Sequence, residues 1–123
     1  MNMEFSLLDY WDMLFQLSFL TLMMCLETLF HPAQEGELKY RISRNTAALL
    51  GKKLDKYSDT IFKDINHLYQ IRSKLIHTGE NIIKEIDLNL LRFYVKESIK
   101  EIYQMQIDKG ELLELLNSRG FSN

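Results

Sequence analysis

Cysteine appears once in this chain of 123 residues, at Cys25, and proline once, at Pro32. One cysteine forms neither an internal disulfide nor a metal cluster, which suits a reducing compartment. With one proline and five glycines there are few breakpoints, and no run alternates in the manner of a strand. A basic N-terminal region is missing too. Glu4, Asp9 and Asp12 stand where a secretion signal carries lysine or arginine, so the expected location is the cytoplasm. The roughly 20 uninterrupted apolar residues of a spanning helix are also lacking. Gln16, Ser18, Thr21 and Glu27 interrupt residues 13–30, and no membrane partner is expected.

Positive charge is absent from residues 1–38, which hold six acids (Glu4, Asp9, Asp12, Glu27, Glu35, Glu37) and no lysine or arginine. Residues 39–77 reverse this with nine basic side chains against three acids, although the net charge of the whole chain is only −2. Two readings follow: two parts of a helical bundle attracting each other, or a basic face for a phosphate backbone. Charge alone does not separate them.

What is present in quantity is helical periodicity. One domain is expected over residues 1–123, and a chain of this length buries about two thirds of its unfolded surface. The first helix starts at Ser6, with Asp9 three residues on as a capping box, and runs to about Phe30. It is apolar nearly all round, so it is buried on several sides, either centrally or against a second copy. His31-Pro32-Ala33-Gln34-Glu35-Gly36 forms a turn. A second helix covers about Glu37 to Leu50 and ends at Gly51, a left-handed cap.

Lys52 to Tyr57 is a polar connector, after which Ser58 caps a third helix reaching about His77, with Gly79 at its stop. After a link from Glu80 to Ile86, Asp87 caps a fourth helix. Its stripe is Leu91, Tyr94, Val95, Ile99 and Ile102. Asp108-Lys109-Gly110 breaks it, Glu111 to Asn117 forms a short fifth helix, and the tail from Ser118 frays. The predicted fold is an all-α, up-and-down bundle of four main helices plus the short C-terminal one.

Two charges stand on apolar helical surface. Arg72 shares a face with Leu68, Ile65 and Ile61, and Glu27 sits in the first helix. Ionisable groups on such surfaces need partners, so Glu27 is predicted to accept from Arg72. The pair serves equally as a packing bridge or as part of a site. His77, at a helix C-terminus, suits acid/base work near neutral pH, and it also suits a plain dipole partner. A guanidinium matches the charge that builds on phosphoryl oxygens. His31, His67 and His77 match no metal-ligand spacing, so no metal and no cofactor is expected. A serine nucleophile at Ser73 lacks an oriented base. The lysines at 52, 53 and 56 read as a solvated turn.

Three segments together resemble the HEPN superfamily, and within it the Apea-like branch. They are residues 19–30 (FLTLMMCLETLF), residues 40–51 (YRISRNTAALLG) and residues 69–79 with their Arg-x4-His core, Arg72 to His77. They span about half the chain. The resemblance implies an α-bundle that dimerises so that two Arg/His motifs face one cleft, and metal-independent endonucleolytic cleavage of RNA. It places active members in toxin–antitoxin or antiphage systems, and it also covers non-catalytic partners. Carried onto this chain, it makes Arg72 and His77 catalytic and gives Ser73, Lys74, Glu27 and Tyr69 binding or supporting roles. Thr78 here separates His77 from the glycine that commonly follows it directly. The implied partners are a second copy, RNA, and a protein such as an antitoxin. Apea-like domains often sit within longer proteins, so a fragment and a stand-alone domain both fit.

Overall fold

The computed structural model describes residues 6–30, 37–54 and 58–119, and these form five α-helices with no strand among them. They are α1 (Leu7–Phe30), α2 (Leu38–Leu50), α3 (Ser58–Thr78), α4 (Glu85–Met105) and α5 (Lys109–Ser118). The expected turn at residues 31–36, and residues 55–57 and 120–123, lie outside the described residues.

Local chemistry accounts for most of the boundaries. Ser6 and Asp9 close the capping box: the Ser6 amide donates to Asp9 Oδ2 at 3.0 Å, and the Asp9 amide to Ser6 Oγ at 3.2 Å. Gly79 ends α3 at φ +72°, with its amide donating to Leu75 O at 3.0 Å. Asp108 caps α5 by accepting from the Glu111 amide at 2.8 Å.

Four expectations change. Gly51 is right-handed, at φ −54°, so a left-handed cap does not explain it. A Cβ there would stand 2.5 Å from Ser58 Oγ and 3.0 Å from Ala47 O, so close approach between the end of α2 and the start of α3 favours glycine, and a larger residue would displace the Ser58 side chain. Ser58 is itself the first residue of α3 and is buried. Asp87 does not cap α4 from outside. The helix begins at Glu85, and Asp87 reaches back from its first turn to accept the Lys84 amide at 3.0 Å. On α4, Leu91, Tyr94 and Val95 are buried, but Ile99 is exposed and Ser98 fills the inward position. Ser98 lies three residues beyond Val95 and seven beyond Leu91, on the inward row, whereas Ile99 lies a further 100° round.

Helix α2 is the hub. It packs most extensively on α3 and also meets α1, α4 and α5. Its small and polar residues let neighbours come close: Ser43 Oγ donates to Asn66 Oδ1 of α3 at 2.8 Å, and Asn45 Nδ2 to Phe30 O, at the end of α1, at 3.2 Å. Helix α1 packs chiefly on α4 and buries Phe19, Met23, Leu26 and Phe30. At about 1.5–3 kcal/mol for each large apolar side chain, these four anchor it.

By length and composition α1 could also cross a membrane. The polar interruptions counted against a span do not remove that possibility. The packing argues the other way, since a spanning α1 would have to withdraw those four side chains from the common core. In place of burial on several sides, α1 is buried along one side only.

Ten residues are too few for a helix to stand alone in water, so α5 depends on its contacts. Leu112 and Leu116 enter the core. Arg44 of α2 donates through Nη1 to Leu116 O at 3.0 Å, and through Nη2 to the carbonyls of Asn117 and Arg119. A cation on the terminal carbonyls also meets the negative end of the helix dipole. Arg44→Ala is expected to cost about 1–3 kcal/mol. Hydrogen exchange checks it: amides of α5 should lose protection before those of α2 and α3.

Candidate functional site

Glu27 lies on the flank of α1, three residues before the buried Phe30, where its carboxylate reaches α3. Two side chains of α3 converge on one of its oxygens. Arg72 Nε stands 3.2 Å from Glu27 Oε1, and Tyr69 Oη donates to the same oxygen at 3.1 Å. Tyr69 and Arg72 are three residues apart, so they share a helix face, and the guanidinium carbon lies 5.7 Å from the Tyr69 ring centroid. The predicted Glu27–Arg72 contact is therefore made.

The pair is only partly buried, with side-chain exposures of 28 % for Arg72 and 20 % for Glu27. The contact with Glu27 is made by Nε. A guanidinium has five N–H donors, and no described residue engages those on the two Nη atoms. Tyr69 is almost fully buried. Burial first, then the charge and hydrogen bond of Glu27, push its phenol far above the usual tyrosine range, so it stays a neutral donor that orients the carboxylate.

Arg72 lines a groove of about 300 Å³ with Leu38, Lys39, Tyr69, Gln70 and Ser73. Its charges are the Arg72 and Lys39 cations, with Glu27 offsetting the first from below. The groove is open on one side and can receive an anion on guanidinium, ammonium and hydroxyl donors. Lys39, Leu38 and Gln70 were not anticipated. The one signal pointing to Lys39 is its place as the first basic residue after a base-free stretch.

Lys74 and His77 do not line this groove. Five residues along a helix separate His77 from Arg72 by about 7.5 Å of rise and about 140° of rotation. His77 is exposed and has no hydrogen-bond or ion-pair partner among the described residues. Beside it the α3 end is held locally, with Thr78 Oγ1 donating to Lys74 O at 2.6 Å and accepting from the Glu80 amide at 3.2 Å. Thr78 thus occupies the turn between the histidine and Gly79.

The other candidates resolve into structure. His67 Nε2 lies 3.0 Å from Asp87 Oδ1, linking α3 to α4. Among the described residues no three His, Cys, Asp or Glu side chains gather as metal ligands; His31 lies outside them. The basic stretch is partly used up inside the molecule. Lys53 pairs with Glu97 and Glu101 of α4 at 3.4 and 3.2 Å, and Lys63 with Asp59 at 3.0 Å. Of the described acids in the base-free N-terminal stretch, Glu27 is the one joined to this region by an ion pair, through Arg72.

Two buried tyrosines set an alkaline limit on stability. Tyr94 is raised like Tyr69, by burial first and then by its hydrogen bond to Asp64. The folded state holds both phenolic protons more tightly than the unfolded chain, whose tyrosines titrate near 10. Stability is therefore intact below about pH 10 and falls as pH rises through and beyond that value. Thermal unfolding between about pH 9 and 11.5 checks this, and Tyr69→Phe should make the decline shallower.

Among the described residues the chain is all-α, with five helices and an arginine-lined groove between α2 and α3. No protein family, curated protein or solved structure matches this chain.

Proposed function

We propose that the chain is a metal-independent RNA endonuclease of HEPN type, acting as a homodimer with a composite Arg72/His77 site. The observation that carries this reading is the Arg72 guanidinium, held by Glu27 through Nε and lining an open groove with its other donors unclaimed. Such a group binds a phosphodiester and stabilises the charge that gathers on its nonbridging oxygens. Lys39 adds a second cation along the backbone path, and Ser73 a hydroxyl.

Cleavage needs a base to take the 2′-hydroxyl proton and an acid to protonate the departing 5′-oxygen. The 2′-oxygen attacks phosphorus, the bond to the 5′-oxygen breaks, and a 2′,3′-cyclic phosphate and a 5′-hydroxyl result. His77 is the proposed acid/base. Because it lies well round the helix from Arg72, one chain does not place both on one phosphate. A second chain presenting its own His77 supplies the missing group, which is the reason to propose a composite site. Cytoplasmic defence systems, with or without an antitoxin-like partner, are the proposed setting.

The runner-up is a non-catalytic dimerisation or regulatory module. It is favoured by the fact that the Glu27–Arg72 pair already has a structural use, tying α1 to α3. Purified protein incubated with mixed RNA and EDTA separates the two. Chelator-resistant cleavage lost in both Arg72→Ala and His77→Ala supports the enzyme; no cleavage by folded protein, with its partner supplied, leaves the module.

A further inference from the structure

Helix α1 has two apolar sides. Phe15, Phe19, Met23, Leu26 and Phe30 face the core. Leu7, Tyr10, Leu14, Leu17, Thr21 and Met24 do not, and they recur at alternating spacings of three and four residues. At about 100° per residue the two rows lie nearly opposite each other on the helix. The second row is open to solvent along its length: Leu7 is 78 % exposed, Leu14 51 %, Leu17 52 % and Met24 62 %. A single row with that spacing is the seam of a two-helix coiled coil, and a contiguous exposed apolar row marks an interaction surface.

We infer that this outward row of α1 is the interface through which two copies of the chain associate. Three observations favour a second copy over lipid or an unrelated protein. First, the spacing is self-complementary, so knobs from one copy meet holes in an identical row. Second, residues 13–26 carry no charge, and Asp9 and Asp12 lie off the outward row at about 100° per residue, so two copies meet along it without like-charge repulsion. An anionic bilayer, by contrast, meets Asp9 and Asp12 on a helix with no lysine or arginine. Third, exposed apolar surface is concentrated on this helix, which carries eight of the fourteen large apolar side chains exposed among the described residues. A stable interface takes about 800 Å² from each partner. Tyr10 and the adjoining Trp11, at 50 % and 67 % exposed, offer roughly 200 Å² between them. The leucines and methionines of the row continue the surface along the length of the helix.

This interface rests on the exposed row, not on Arg72 or His77, so it and the ribonuclease reading fail separately. The test is the mass of the full chain by size exclusion with light scattering, across a dilution series. Wild type is expected at twice the 14.6 kDa chain mass. Leu17→Asp, central in the row, should dissociate at least about 100-fold more readily, because a two-fold interface counts the change twice. Its helicity should be unchanged. Should Leu17→Asp misfold, Leu17→Cys in a Cys25→Ser background tests the same point, and mild oxidation should link two copies. The proposal is overturned by a wild type that is monomeric at tens of micromolar. It is overturned equally if Leu17→Asp stays dimeric and the Leu17→Cys variant gives no cross-link. Co-flotation of monomer with phosphatidylcholine vesicles overturns it in favour of lipid. A monomeric Leu17→Asp that still cleaves RNA supports the seam and sinks only the composite site.

Discussion

His77→Ala and Arg72→Ala should each cleave RNA at least about 100-fold more slowly than wild type, in EDTA, and an equal mixture of the two should regain activity. General acid/base catalysis contributes roughly 10²–10⁴-fold, and loss of a preorganised cation at the phosphoryl oxygens about as much. The mixture is the sharper measurement. After exchange, roughly half the dimers pair one variant with the other, and each holds one intact Arg72 and one intact His77 on different chains. If the two act in trans, about a quarter of wild-type activity returns. If they act within one chain, nothing returns, and the rotation of about 140° between them must then close by some other movement. Arg72→Lys separates charge from geometry, since an ammonium keeps the positive charge but loses the fork that reaches both Glu27 and a phosphate. Thermal unfolding of each variant shows whether the loss is chemical or structural.

Phe19→Ala should lower stability by about 3–5 kcal/mol, a fall in Tm of roughly 10–20 °C for a chain of this size. Phe19 has no exposed surface and lies in the core shared by the helices. Its removal leaves a void that the surrounding helices fill only in part. Leu14→Ala, five residues earlier and half exposed, should change the stability of the dissociated chain by within about 0.5 kcal/mol. The contrast tests the place of α1 directly. If α1 leaves the bundle, as a membrane-spanning segment would, Phe19→Ala has no larger effect than Leu14→Ala on the unfolding of the rest.

The residues around the site show what a sequence can and cannot convey. Glu27 and Arg72 were legible as partners because each is a charge on an otherwise apolar helical surface, and such charges need company. The ends at Ser6 and Gly79 were legible because capping chemistry is local, complete within four or five residues. Gly51 was misread for the opposite reason: its glycine answers to Ser58, a crowding that appears only once α2 and α3 are packed. Lys39 and Gln70 were invisible as groove residues, being ordinary surface positions until two helices lie side by side. Ile99 was placed inward by a spacing of four that the drift of a straight helix carries to the surface.

Sequence alone determined the all-helical character, the number of helices and the special status of Arg72, since periodicity, caps and a stranded charge are encoded within one or two turns. Tertiary structure decided which side of the doubly apolar α1 is covered. Both rows are largely apolar; the phenylalanine-rich one packs into the core, and the one that includes Tyr10 and Thr21 is left open. It also decided that Arg72 opens onto a groove while His77 points elsewhere, because a rotation of about 140° along one helix acquires meaning only from the neighbours that helix is given.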